Sequence, residues 1–104
     1  MRKPKAPPRL EIDRVIHEPA RLVLVAHLYV VESADYVFLM RMTGLTWGNL
    51  STHLTKLEEA GYIVMEKEFR GKKPHTTIRL TPQGRAAFKE YKKSLQQVLK
   101  DLPD

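Results

Sequence analysis

The chain contains no cysteine among its 104 residues. This absence excludes disulfide bonds, thiolate metal sites and cysteine nucleophiles, and it favours a protein of the reducing cytoplasm. Histidine is scarce as well, and no two of the four histidines have the i, i+4 spacing of paired metal ligands on a helix. These residues are His17, His27, His53 and His75. We therefore predict no metal site and no cofactor.

Long hydrophobic runs are also missing. The longest apolar stretch, residues 22–31, is interrupted by His27. At about ten residues it is too short for a bilayer, which needs about 20, so it predicts a buried helix and no membrane partner. The first ten residues carry no apolar segment typical of a signal peptide.

Negative charge is in the minority, because 18 lysines and arginines oppose 12 acidic residues for a net charge of +6. Such a balance predicts attraction to a polyanion, of which nucleic acid is the commonest and an acidic membrane surface the alternative. Prolines and basic residues crowd the first nine positions, which predicts a flexible basic arm over residues 1–9.

Helical periodicity begins near residue 10 and continues to residue 31. Pro19 suits a first helical turn but disrupts a helix interior, so we predict a short helix followed by a longer one that starts near Pro19. Ser33 is predicted to cap a next helix over residues 35–43, which Gly44 ends in the left-handed conformation.

Thr46 is predicted to cap a third helix that reaches about Ala60 and ends at Gly61. Two helices joined by a short turn that contains glycine have the layout of a helix-turn-helix motif.

The pattern then changes to a period of two. Residues 62–69 and 76–80 are predicted strands, and residues 70–75 a turn or loop. Thr81 and Pro82 start a last helix that ends near residue 102. The candidate inward-facing strand residues are Ile63, Met65, Ile78 and Leu80. The predicted order is helix, helix, helix, strand, strand, helix, which is mainly α with a small β-hairpin.

The third helix is predicted to bury Leu50, Leu54 and Leu57 as one stripe. Small polar residues, which can sit deep in a DNA major groove and bond base edges or phosphates, occupy its other faces. The candidate DNA contacts are Thr46, Trp47, Gly48, Asn49, Ser51, Thr52, Thr55 and Lys56. The alternative is an ordinary solvated helix. Packing is the favoured role of Trp47 and His53, although the indole N–H could reach a phosphate.

The predicted hairpin tip is strongly basic. Like charges on a tight loop repel one another, and an external anion would relieve that repulsion, so the tip is a candidate phosphate contact. Its residues are Arg70, Gly71, Lys72, Lys73 and His75. The alternative is a hairpin that only promotes solubility.

The last helix carries a heptad-like apolar seam. We predict that this seam forms a dimer interface, whose residues are Phe88, Tyr91, Leu95, Val98, Leu99 and Leu102. A helix that packs wholly on its own domain is the alternative.

Four segments, in this order, resemble the winged-helix regulators of the MarR and ArsR type, most closely their small single-domain members. They read HEPARLVLVAHL, TGLTWGNLSTHLTKLEEAGYI, FRGKKPHTTIRL and LTPQGRAAF. The resemblance implies a winged helix-turn-helix domain over residues 10–80 and a dimerisation helix over residues 81–104. It also implies a homodimer on pseudo-palindromic operator DNA, with recognition contacts from Asn49, Ser51, Thr52 and Lys56 and wing contacts from Arg70, Lys72 and Lys73.

The chain departs from the metal-sensing ArsR branch, because that branch binds metal through cysteine thiolates and this chain has no cysteine. A small-molecule effector, usual in the MarR type, stays open as a partner, since no residue pattern identifies its pocket.

The expected function is that of a sequence-specific transcriptional regulator, with repression the expected role. A nonspecific architectural nucleic-acid binder and a winged-helix protein-interaction module are the alternatives, and the basic hairpin argues against the second. No enzyme is predicted. Asp13, His17, Glu18 and His27 could transfer protons, but they are scattered along one helical region, with no nucleophile among them and no pair at a catalytic spacing.

Overall fold

The structure, a computed structural model, describes residues 12–103. The predicted basic arm of residues 1–9 lies outside them. The elements are α1 (Pro19–Val30), β1 (Ala34–Asp35), α2 (Tyr36–Thr43), α3 (Trp47–Glu59), β2 (Ile63–Arg70), β3 (Lys73–Leu80) and α4 (Pro82–Lys100). This order confirms the predicted winged helix-turn-helix, and it adds the short strand β1 to the predicted elements.

The segment before α1 differs from the sequence prediction. Residues 12–18 form turns and no helix. The Asp13 carboxylate accepts hydrogen bonds from the backbone N–H groups of Val15 (2.9 Å) and Ile16 (3.2 Å), and such side-chain bonds favour a turn over a helix. The turn places Ile16 in the core, where it is fully buried. Helix α1 itself begins at Pro19, as predicted, and Glu18 caps it by accepting from the Arg21 N–H at 2.9 Å.

Helix α2 is capped by Asp35 and not by Ser33. The Asp35 carboxylate accepts from the Phe38 N–H at 2.8 Å. The backbone stays extended through Asp35 because Ala34 and Asp35 pair with β3 as strand β1, in the sheet order β1-β3-β2. At the other end Gly44 has φ 73°, which confirms it as the left-handed residue that ends α2.

The hairpin is longer and its turn tighter than predicted. The two strands have eight residues each and pair from Ile63↔Leu80 to Arg70↔Lys73, so only Gly71 and Lys72 form the connection. The predicted loop over residues 70–75 is therefore wrong. Gly71 has φ 64°, and within residues 12–103 no residue other than glycine, Lys72 included, has positive φ. Positive φ at the first turn residue only is the pattern of a type II′ turn, whose twist matches that of the strands.

The core is a single apolar cluster between the helices and the hairpin. Leu24, Val25 and Leu28 of α1 meet leucines of α2 and α3, and Ile63 and Ile78 cover them from the sheet. The two isoleucines confirm the predicted inward face of the hairpin. Among the described residues, no helix is both long and apolar enough for a membrane span.

Candidate nucleic-acid interface

Helix α3 has one buried and one open face. Leu50, Leu54 and Leu57 are fully buried, as their spacing predicted. Thr46 caps the helix by accepting from the Asn49 N–H at 3.3 Å. The exposed candidates are Thr46, Trp47, Gly48, Asn49, Thr52, Thr55 and Lys56, while Ser51 is half-buried. The acidic residues of α3, Glu58 and Glu59, lie in its last turn. Its first three turns therefore present a surface without negative charge.

The threonine hydroxyls of this face are oriented by the helix itself. Thr52 Oγ1 donates to the Gly48 carbonyl at 3.0 Å, and Thr55 Oγ1 donates to the Ser51 carbonyl at 2.9 Å. Because each hydroxyl hydrogen is used within the helix, the oxygen lone pairs and the methyl groups remain for an external partner. The face therefore offers hydrogen-bond acceptors and small apolar groups, together with the Asn49 amide.

Trp47 combines packing with exposure. Its indole stacks on Tyr36 of α2, with ring centroids 4.2 Å apart and ring planes at 27°. The residue is nevertheless 59% exposed. One ring face is therefore held by the helix-turn-helix body while the other side of the indole is open.

His53 belongs to a polar network that joins α3 to the start of α1. Its Nδ1 lies 3.2 Å from Arg21 Nη1 and 3.5 Å from Glu18 Oε2, and Arg21 Nε donates to the Val15 carbonyl at 2.5 Å. Burial acts to raise the pKa of the Glu18 carboxyl, but backbone N–H bonds and the charges of His53 and Arg21 lower it by more. The sequence predicted only a packing role for His53. It did not reveal this network, because Arg21 and His53 are far apart in sequence.

The hairpin has two chemically different faces. Side chains alternate along a strand, and Ile63, Met65, Ile78 and Leu80 mark the inner face, which turns toward the helices. The distal part of this inner face consists of Lys67, Phe69, Pro74 and Thr76. The outer face carries Glu66, Glu68, Arg70, Lys73, His75 and Arg79.

Acidic residues of β2 neutralise part of the predicted basic cluster. Arg79 forms an ion pair with Glu66, and Arg70 lies 3.9 Å from Glu68. The second pair is exposed, so it contributes at most about 1 kcal/mol and leaves Arg70 free to exchange partners. Within residues 12–103, Lys72 and Lys73 have no carboxylate partner within 4.0 Å. His75 lies opposite Glu68 across the hairpin.

The apolar seam of α4 divides into a buried and an exposed part. Phe88 and Tyr91 are 8% and 3% exposed and belong to the core of the chain itself. Phe88 packs on Tyr29 with ring centroids 5.1 Å apart, and the Tyr91 hydroxyl lies 2.9 Å from His17 Nδ1. These two residues therefore do not form part of the surface that is open to a partner, contrary to the sequence prediction. Leu95 and Val98 are half-buried, and Leu99 and Leu102 are 60% and 59% exposed.

Metal ligands do not gather in the part of the chain that the structure describes. Within residues 12–103 no group of three or more histidine, aspartate or glutamate side chains could hold an ion. The surface that remains distinctive is the exposed face of α3 beside the basic hairpin.

A helix-turn-helix followed by a basic hairpin is typical of winged-helix proteins. The family model described as the winged helix DNA-binding domain matches residues 20–99 of the chain. The chain belongs to this family. An uncharacterized protein of Methanocaldococcus jannaschii is 34% identical over 89 residues, which cover 86% of this chain and 97% of that protein.

Solved structures of other proteins share the fold, and two of them illustrate the likeness. The transcriptional regulator homologue of Pyrococcus horikoshii OT3 has a TM-score of 0.81 and 26% identity, over 89% of this chain and 94% of that one. A MarR-family transcriptional regulator from Silicibacter pomeroyi has a TM-score of 0.67 and 18% identity, over 84% of this chain and 57% of that protein. The chain thus has the fold of a winged-helix transcriptional regulator, and the resemblance found in its sequence is confirmed.

Proposed function

We propose that this protein is a homodimeric, sequence-specific regulator of transcription that binds double-stranded operator DNA, with repression as its role. One observation carries this proposal. The first turns of α3 expose small polar side chains free of negative charge, and Lys72 and Lys73 at the hairpin turn have no carboxylate partner within residues 12–103. A helix of this kind fits the major groove, and a basic hairpin fits the flanking backbone.

Base readout is assigned to Asn49, Thr52 and Thr55. An asparagine amide can bond adenine in a bidentate manner, and a threonine can contact a thymine methyl or accept from a base amino group. The internal bonds of Thr52 and Thr55 favour the acceptor role, because their hydrogens are used by the helix. Lys56, one turn beyond Thr52, is placed to contact a phosphate at the groove edge.

The hairpin supplies the electrostatic part of binding. Arg70 and Lys73 flank a two-residue turn that contains Lys72, and Gly71 allows that turn its positive φ. Contacts of these charges with phosphates are independent of sequence and release counterions, so they set affinity and its salt dependence.

A dimer explains the exposed distal part of α4. Leu99 of α4 and Leu102 just beyond its end remain open to solvent, and Leu95 and Val98 precede them on the helix. We assign these four residues to contact with a second copy. A dimer engages two half-sites about 34–36 Å apart, and the second contact becomes intramolecular once the first is made.

The proposal is tested by replacing Arg70, Lys72 and Lys73 together with glutamine. Affinity for duplex DNA is measured by anisotropy of a labelled duplex over a range of salt concentrations. Each lost phosphate contact should reduce the log–log slope by about 0.9. The control replaces Lys89, Lys92 and Lys93 on the exposed face of α4, which removes the same number of charges. Equal slopes for wild type and the hairpin variant would remove the hairpin from the interface.

Selection of bound sequences from a random duplex pool separates regulator from architectural protein. An enriched palindromic motif supports the regulator. Equal affinity for all sequences would instead support the nonspecific binder.

A further inference from the structure

A cleft of about 470 Å³ separates the helix-turn-helix from the hairpin. Tyr36, Val37 and Trp47 line its helical side, while Lys67, Pro74, His75 and Thr76 line the hairpin side. Asp35 of β1 lines the cleft as well. Two of the lining residues are shared with the surfaces described above, since Trp47 is the first residue of α3 and His75 belongs to the predicted hairpin tip.

The hairpin face that borders the cleft differs from the other face in charge. Lys67 lies on the inner face beside Thr76, whereas Glu66 and Glu68 lie on the outer face, where they pair with Arg79 and Arg70. The hairpin side of the cleft thus holds the Lys67 ammonium, the Thr76 hydroxyl and the His75 imidazole but no carboxylate. The single carboxylate among the cleft residues is that of Asp35, which accepts from the Phe38 N–H as the cap of α2.

The helical side of the cleft adds a rigid aromatic wall. Trp47 is the only tryptophan of the chain, is held by its stack on Tyr36 and is 59% exposed. Val37 beside it is 56% exposed. An amphipathic surface of this kind, apolar with an indole N–H and a nearby ammonium, matches a sugar–phosphate chain, in which apolar deoxyribose alternates with anionic phosphate.

We infer that this cleft binds the sugar–phosphate backbone of one DNA strand. On one side of this strand lies the major groove that α3 enters, and on its other side the hairpin contacts the DNA. A strand between the two elements has to cross the surface that joins them, and that surface is the cleft. In this arrangement Lys67 contacts a phosphate, and Trp47 packs on a deoxyribose and donates its indole N–H to the same strand. The inference rests on the proposed DNA binding and adds Lys67, Tyr36 and Thr76 to the interface.

Trp47 makes the cleft directly observable, because all tryptophan emission of the full chain comes from it. Binding to a labelled duplex of mixed sequence is followed by anisotropy of the label, and exposure of Trp47 by acrylamide quenching in the same samples. The quenching constant should fall about twofold or more on saturation with DNA, since the open side of a 59% exposed indole becomes covered.

A lysine variant supplies the second readout. Lys67→Gln should lower the log–log salt slope by about 0.9, the value of one phosphate contact. Lys92→Gln, an exposed lysine of α4, is the matched control and should leave the slope unchanged.

The outcomes separate this inference from the proposed function. The labelled duplex can bind while DNA leaves the quenching constant of Trp47 at the value of the free protein and Lys67→Gln keeps the salt slope of wild type. That result overturns the cleft inference, and DNA binding stands. If the duplex does not bind at all, the proposed function itself fails. Quenching that rises on dilution of the free protein would show that a second copy covers the cleft, and protection by benzoate but not by DNA would show a small-ligand site. Either of these results overturns the inference.

Discussion

Gly48 offers a perturbation that separates stability from DNA binding. It lies in the first turn of α3, on the exposed face, and a Cβ built there meets no heavy atom within 4 Å beyond its chain neighbours and the nearby backbone of its own helix. Gly48→Ala therefore adds a methyl group without strain and removes conformational freedom from the unfolded chain. Such a change stabilises a helix by about 0.5–1 kcal/mol, and the position near the helix start favours the lower figure. For a domain of this size about 0.5 kcal/mol raises Tm by about 2–4 °C.

The same methyl group should weaken DNA binding. If the first turns of α3 enter the major groove, the backbone at Gly48 approaches the bases, and a methyl group there overpacks the contact. Overpacking in close-packed surroundings costs about 1–3 kcal/mol, which corresponds to about 5- to 150-fold in Kd. Thermal unfolding by circular dichroism and anisotropy titration of a labelled operator duplex measure the two effects on one variant.

Gly84 is the matched control, since it is also a helical glycine but is buried. A Cβ at Gly84 would collide with the backbone carbonyl oxygen of Tyr62. Gly84→Ala should therefore destabilise the fold by about 1–3 kcal/mol and leave the affinity of the folded fraction unchanged. A Gly48→Ala variant that is more stable and binds DNA as tightly as wild type would refute the insertion of this part of α3 into the groove.

Three further predictions concern the operator, the dimer and alkaline stability. Thr52→Ala should lose about 1–3 kcal/mol on the selected operator and less on random DNA, and equal losses on both would restrict Thr52 to the backbone. Replacing Leu99 and Leu102 together with glutamate should yield monomers by sedimentation without unfolding, because both residues are exposed within the protomer, and a dimer that persists would place the interface elsewhere. Burial, the hydrogen bond to Asp13 and the charge of that carboxylate raise the pKa of Tyr62 to about 12 from 10.0. The neutral phenol is therefore the stabilising form, and its contribution is complete below pH 10 and is lost as the pH rises through about 12. Denaturant unfolding should show this loss in wild type and not in Tyr62→Phe, and an identical pH profile in both would contradict the assigned cause.

Residue spacing and local capping signals were sufficient to predict the helix-turn-helix. Leu50, Leu54 and Leu57 recur at helical spacing, so any core on that side buries them together, and the exposed face of α3 follows from the same spacing. Gly44 and Thr46 act through their own backbone neighbours, so their roles as helix end and helix cap were readable without the rest of the chain.

Nonlocal pairing decided what the sequence could not. Ser33 and Asp35 are comparable caps, and Asp35 acts as the cap because Ala34 and Asp35 pair with β3, more than forty positions away. The basic run after Phe69 read as a uniform patch until the strand register placed Glu66 and Glu68 on the outer face.

The seam of α4 shows the same division. Its periodicity predicted an apolar stripe, but periodicity is identical for residues that meet their own domain and for residues that meet a partner. Only the positions of α1 and of the turn before it decided that Phe88 and Tyr91 are buried against Tyr29 and His17, and that Leu99 and Leu102 extend beyond that contact. The sequence by itself therefore determined which faces are apolar or basic. The tertiary structure decided which of those faces stay open, because burial depends on what packs opposite and not on the residue alone.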